Sequence, residues 1–358
     1  MSRLKPLLVV LGALISLDLT ACALQAPAFG RTSVAPPPEH SHMAASRPPE
    51  PNVLPSPYDW FGPTLLPDHR IVAYYGNPES EAMGILGFHP TGAMIARLDA
   101  QASRYQELDP TLPVLRALDM VTVVASGSPQ PNGTYSIIMS PGTIQKELDL
   151  ARAHRMLLIL DLQVGRGTVR SDVRALEPFL VQPDVELALD PEFDMNSEPG
   201  GIPGHVIGSM KPGEINWTLH FLNGLVVRDH LPQKILVVHQ FVDSMVPDWQ
   251  DITPVDHVAL VRDQDGVAHD AQEEQLKVQN YEEFVRDEPI WCTAAVEPKP
   301  PFTPPVPPTG AQIEAWLRER GHVQVCGGFK VFYTRDIHPM DPEEVMSLDP
   351  PPLVVIYQ

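Results

Sequence analysis

The chain has 358 residues, 43% of them hydrophobic, with 45 Asp+Glu against 25 Lys+Arg and a net charge of −20. That length accommodates one large core of about 250–300 residues with extensions. No run of Lys or Arg exists, which excludes a nucleic-acid binder built on a basic face. The acidity fits solubility outside the cytoplasm.

The 41 prolines stand well above a usual share of about 5%. They concentrate at 27–67 and 298–308 and so mark linkers. Residues 1–21 read as an export signal, with Arg3 and Lys5 as the basic start and Leu7 to Leu17 as an apolar stretch too short to span a membrane. The stretch ends in Leu19-Thr20-Ala21-Cys22, which looks like the lipobox of bacterial lipoproteins. Cys22 is then the lipidated residue, and the expected address is the outer face of the cell membrane. Residues 22–66 form a Pro-rich tether. Within it, His40 and His42 are ordinary linker histidines, and Tyr58, Trp60, Phe61, Leu65 and Leu66 are apolar enough to pack on the folded domain. Once Cys22 is assigned to lipid, Cys292 and Cys326 remain as an even pair. A disulfide between them is expected in an oxidising compartment, with two buried thiols as the alternative.

From residue 67 to the end, apolar runs alternate with helical patterns. Strands are expected at 70–76, 120–125, 156–162, 185–190, 234–241, 257–262, 329–334 and 353–358. Helices are expected at about 93–107, 141–154, 171–180, 212–231, 272–285 and 342–348, and at 311–320 within an insertion at 288–327. Eight near-continuous apolar strands alternating with helices is the pattern of a (β/α)₈ TIM-type barrel. The alternative is an open doubly wound sheet, but no Gly-x-Gly-x-x-Gly follows any strand. The barrel is incomplete, because the chain ends on the last strand with no eighth helix. Residues 58–66 are the candidate cover for that gap.

In such barrels chemistry sits at the C-terminal ends of the strands. Val185-Glu-Leu-Ala-Leu-Asp-Pro-Glu-Phe-Asp194 ends in three carboxylates. Glu192 is the expected proton donor, with Asp190 or Asp161 as partner, since glycoside hydrolysis needs two carboxyl groups about 5–10 Å apart. The other tips supply Tyr74, Tyr75, Gln163, Arg166, His239, Gln240, Asp263, Tyr333, Asp336 and Tyr357 as expected substrate contacts. Asp190 and Asp161 could equally accept backbone bonds or pair with Arg166 and Arg262. Asp190, Glu192, His239 and Asp263 are types that bind divalent metals, yet no His-x-His or His-Glu-x-x-His lies on a strand or helix, so neither metal nor cofactor is expected. No Gly-x-Ser-x-Gly supports a serine nucleophile.

Leu160-Asp-Leu-Gln163 with Gly165-Arg166, Leu187-Ala-Leu-Asp-Pro-Glu192, Lys234-Ile-Leu-Val-Val-His-Gln-Phe241, Gly328-Phe-Lys-Val-Phe-Tyr333 and Val355-Ile-Tyr-Gln358 resemble bacterial envelope lipoproteins with a glycosidase-like barrel. The resemblance implies the fold and the envelope location and brings no catalytic role. The chain lacks the chitinase-type Asp-x-x-Asp-x-Asp-x-Glu, and its seventh strand leads to Asp336 where many retaining barrels have Glu. The expectation is a lipid-anchored barrel that binds, and hydrolyses, an envelope or environmental glycan. The alternative is a non-catalytic glycan- or peptidoglycan-binding lipoprotein.

Overall fold

The computed structural model describes residues 58–88, 91–253, 255–287 and 325–358. Cys22, Cys292, the export signal, nearly all of the tether and the insertion helix expected at 311–320 lie outside the described residues. Cys326 is buried and disulfide-bonded.

Eight parallel strands close into a (β/α)₈ barrel. They are β1 (Arg70–Gly76), β2 (Val114–Ala125), β4 (Leu157–Leu162), β5 (Val185–Leu189), β6 (Lys234–Gln240), β7 (Val258–Gln264), β8 (Val325–Val331) and β9 (Val354–Tyr357). The ring closes because β1 pairs with both β2 and β9, Ile71 facing Leu115 on one side and Val354 on the other. A short strand, β3 (Ser136–Ile138), runs antiparallel to the end of β2.

Strand alternation divides the apolar residues into two sets. One set faces the barrel axis and includes Ile71, Ala73, Ala117, Ile159, Ala188, Val237, Val261 and Ile356. The other faces the helices and includes Val72, Leu118, Leu160, Leu187, Leu236, Leu260 and Val355. Both faces are covered, so the strands read as continuous apolar runs.

Helix ends follow local chemistry. In α4 (Pro141–Ala153), the Ser140 side chain caps the Thr143 N–H and Pro141 opens the first turn. The helix expected from Ser171 starts two residues earlier, as α5 (Val169–Ala175), because Thr168 supplies the cap. A short helix, α9 (Pro342–Met346), carries a full capping box from Asp341 and Glu344.

The segment before β1 does not flank the barrel as expected. Phe61, Leu65 and Leu66 join the axis-facing cluster, where the strands begin. The Gln233 side-chain oxygen, just before β6, accepts both the Leu65 and the Leu66 N–H at 2.9 Å. Here an apolar plug closes the N-terminal end of the barrel.

The junction of β9 with β1 is covered by α3 (Thr91–Leu108) and not by residues 58–66. Tyr105 on α3 meets Tyr357 on β9, hydroxyl to hydroxyl, at 2.6 Å. Gln101 accepts hydrogen bonds from Tyr74 at 2.9 Å and from Tyr333 at 2.6 Å. The Tyr333 and Tyr357 rings stack with centroids 5.1 Å apart. Tyr74, Tyr333 and Tyr357 therefore lie on the outer face of the wall and serve its packing.

The seventh barrel strand, β8, starts and ends earlier than the 329–334 read from the sequence. Phe332 and Tyr333 extend the apolar run, but a turn stops the strand there. The Asp336 carboxylate accepts the Phe332 N–H at 2.9 Å, and the Asp336 N–H bonds back to the Phe332 carbonyl at 3.0 Å. Lys330, opposite Ile356 of β9, is an axis-facing residue of the strand.

Candidate active site

At the C-terminal half of the barrel the axis-facing positions change from apolar to ionisable. β1 contributes Tyr75, β2 Asp119, β4 Asp161, β6 His239, β7 Asp263 and β8 Lys330, each at most 3% exposed. Asp190 follows β5 directly and is 1% exposed. Beyond it, a 3₁₀ turn at Pro191–Phe193 presents Glu192, which is half-buried. Asp265 lies one residue past β7.

These groups form one network. The Tyr75 hydroxyl donates to Asp161 Oδ2 at 3.0 Å. Gln163 Nε2 donates to the Tyr75 hydroxyl at 3.2 Å and to Asp190 Oδ2 at 3.4 Å. His239 Nδ1 bonds Asp263 Oδ2 at 2.9 Å, so the proton on that nitrogen is fixed by a carboxylate. Its other nitrogen is 4.0 Å from Asp161 Oδ1. The Lys330 ammonium lies 3.2 Å from Asp265 Oδ1 and 3.6 Å from the centre of the Tyr75 ring, a combination of ion pair and cation–π contact.

The network is over-supplied with acid. Six carboxyl groups share two cationic partners, Lys330 and His239. Both oxygens of Asp119, one each of Asp161, Asp190, Asp263 and Asp265, and His239 Nε2 have no hydrogen-bond partner among the protein groups. Burial, followed by the charge of Asp161, raises the Asp119 carboxyl to about 8. Burial raises Glu192 to about 7, reinforced by Asp265 and opposed by Lys330 and Arg335. Asp190 is pushed well above the ordinary range by burial and then by Glu192 and Asp161. Asp161 is raised by burial against the pull of His239 and Lys330. Burial and Lys330 oppose protonation of His239, yet its bond to Asp263 and the charges of Asp265 and Asp161 lift it to about 10.

A direction for stability follows. Asp119 and Glu192 hold their protons in the fold to about 8 and about 7, whereas the unfolded carboxyls lose theirs near pH 4. Glu186, at the opposite end of the barrel, behaves like Glu192, with burial raising it to about 7. The stability they lend is complete below about pH 4 and is lost as pH rises through 7 and 8. His239, about 10 when folded and about 6.5 unfolded, adds loss of the same sign above pH 6.5. Carboxylates lowered by surface partners, such as Glu344 beside His338, are already ionised at pH 5. The denaturant midpoint is therefore expected to be higher at pH 5 than at pH 8 at constant ionic strength. A midpoint that rises toward pH 8 would contradict the buried acid cluster.

Gly328 on β8 makes room for this arrangement. A Cβ there would lie 2.7 Å from Asp263 Oδ1 and 2.9 Å from Val261 Cγ1. Gly328→Ala is expected to destabilise the fold by about 1–3 kcal/mol, read by denaturant unfolding. An unchanged midpoint would mean that Asp263 moves freely.

Of the residues singled out from the sequence, the structure brings Asp161, Asp190, Glu192, Tyr75, Gln163, His239 and Asp263 together. Others it places elsewhere. Gln240 faces outward and accepts the Arg262 guanidinium at 3.0 Å, while that guanidinium packs 4.4 Å from the Trp249 ring centre. Arg166 donates to the Gly201 carbonyl at 2.7 Å and lies over the Tyr135 ring, joining two loops above β4 and β5. Asp336 pairs with Lys277 at 2.9 Å and caps the Ala268 N–H, which ties α8 (Ala271–Asp287) to the turn after β8. All three are structural fasteners at the rim, satisfied by protein partners. Asp119, Asp265 and Lys330 were not foreseen. For Asp119 and Lys330 the signal was an ionisable residue inside an apolar run, as in Leu118-Asp119-Met120 and Phe329-Lys330-Val331; Asp265, in the polar stretch Arg262–Gly266, carried no such signal. Among the described residues no cluster of three or more His, Cys, Asp or Glu could hold a metal ion.

The fold and the site together define a (β/α)₈ barrel with a buried acid–base cluster at the C-terminal ends of its strands. No protein-family model matches the chain, and no curated protein matches it. A solved structure of a hyperthermophilic endo-beta-1,4-glucanase in complex with substrate is similar at 9% identity and a TM-score of 0.32, over 72% of this chain and 80% of that one. A likeness of that size transfers nothing about the site.

Proposed function

We propose that the protein is a lipid-anchored envelope barrel that binds a glycan at its C-terminal mouth and hydrolyses it, with Glu192 as the proton donor. The observation that carries this reading is Glu192 itself. It is the half-buried carboxyl of the cluster, it projects past β5, and burial beside Asp265 raises it to about 7. A proton donor for a glycosidic oxygen requires a carboxylic acid that keeps its proton near neutral pH. A purely binding site with Asp190 and Glu192 locked in ion pairs fits less well, because among the described residues neither carboxyl has an ion-pair partner. The direct test is turnover of cell-wall and storage polysaccharides by the purified protein, followed as new reducing ends. Saturable binding with no product on any of them would favour the binding-protein reading.

The anchor rests on the export signal and on Leu19-Thr20-Ala21-Cys22. No helix among the described residues is long and apolar enough to cross a membrane. Cys22→Ser is expected to move the protein from the membrane fraction to the soluble fraction. Retention in the membrane would remove the anchor from the proposal.

A further inference from the structure

The six interior carboxyls also bear on which glycan fits. Lys330 is engaged by Asp265 at 3.2 Å, and His239 by Asp263 at 2.9 Å. His239 Nε2 stays without a hydrogen-bond partner, 4.0 Å from Asp161 Oδ1, so one N–H of the cluster is also unengaged. Against that single nitrogen stand six unpartnered carboxyl oxygens, two on Asp119 and one each on Asp161, Asp190, Asp263 and Asp265, so acceptors predominate. A buried acceptor without a donor is costly, and a buried carboxylate needs a countercharge as well.

We propose, on the reading that this mouth binds glycans, that it selects sugars carrying a free amino group, whose ammonium donates to the unpartnered oxygens of Asp190 and Asp161. An ammonium brings three donors and a positive charge to the same place. A hydroxyl brings a donor without charge. An acetamido group brings one N–H and a carbonyl oxygen that would face carboxylates. The cluster already holds one ammonium in this manner, since Lys330 rests between the Tyr75 ring and Asp265. The ligand's charge would replace protons that the cluster carries on its own, so binding releases protons to solvent.

The test is titration calorimetry of the purified protein at pH 6, where the sugar amine is protonated, in two buffers of different ionisation enthalpy. The probes are a glucosamine hexamer, its N-acetylated counterpart and cellohexaose. The glucosamine hexamer is expected to bind at least about tenfold tighter than either other probe, as suits a charge-assisted contact, with net proton release. Asp190→Asn is expected to remove most of that preference. Equal affinities, or binding without proton release, would overturn the inference. Cleavage of cellohexaose with no preference for the amino sugar would leave the hydrolase reading standing and this one fallen. Tight binding of the amino sugar without cleavage would do the reverse, and no binding of any probe would remove both.

Discussion

Glu192→Gln is expected to lower glycan turnover by about 10²–10⁴-fold, the usual contribution of a positioned acid, with no loss of folding. The substitution keeps the shape of the side chain and removes only the proton and the charge. Burial raises Glu192 to about 7, so its ionised form is unfavourable in the fold. The neutral amide should therefore match the wild type in stability at pH 5 and exceed it at pH 8. Those two measurements separate a chemical role from a structural one. An activated aryl glycoside, whose leaving group needs little protonation, should lose less rate than a natural glycan. A variant that keeps full activity on the natural glycan would show that another group donates the proton.

The second large effect is on stability. Lys330→Met is expected to destabilise the protein by about 3–5 kcal/mol at pH 7.5, the range for breaking a buried ion pair from one side. Lys330 is 2% exposed, and its charged form is favoured, against the opposition of burial, by Asp265, Asp190, Asp263 and Asp119. Removing it leaves Asp265 with His239 Nδ1 at 3.7 Å as its nearest cation. The loss should shrink at pH 5, where more of the interior carboxyls carry protons. Lys330→Met combined with Asp265→Asn should recover part of it, because the two residues share one interaction. A loss below about 1 kcal/mol at pH 7.5 would mean that Lys330 does not hold the cluster together.

Much of the barrel could be read from the chain because its signal is local. The run at Lys234–Gln240 is apolar on both faces, as a strand between helices and an axis must be. Ser140-Pro141 announces a helix start by its own chemistry. Val185–Asp190 already showed where apolar residues give way to acid, and Asp161, His239 and Asp263 followed from the same rule. Tyr74 and Tyr357 did not follow, because a tyrosine at a strand end is equally suited to either face of the wall. Only the register of β1 with β9, Tyr74 opposite Tyr357, sends both toward α3.

The sequence by itself determined eight apolar strands, the helices between them and the carboxylates after β5. Each depends on residues a few positions apart, where periodicity and capping act. The tertiary structure decided which ionisable residues share the barrel interior. Closure of β1 on β2 puts Tyr75 level with Asp119, although 44 positions separate them in the chain. The register of β8 with β9, Lys330 opposite Ile356, turns Lys330 inward. One residue of shift in a strand exchanges its two faces, and ring closure sets that register. Glu192, which ends a local acidic stretch in the sequence, thereby becomes the half-buried edge of a charge network drawn from seven strands.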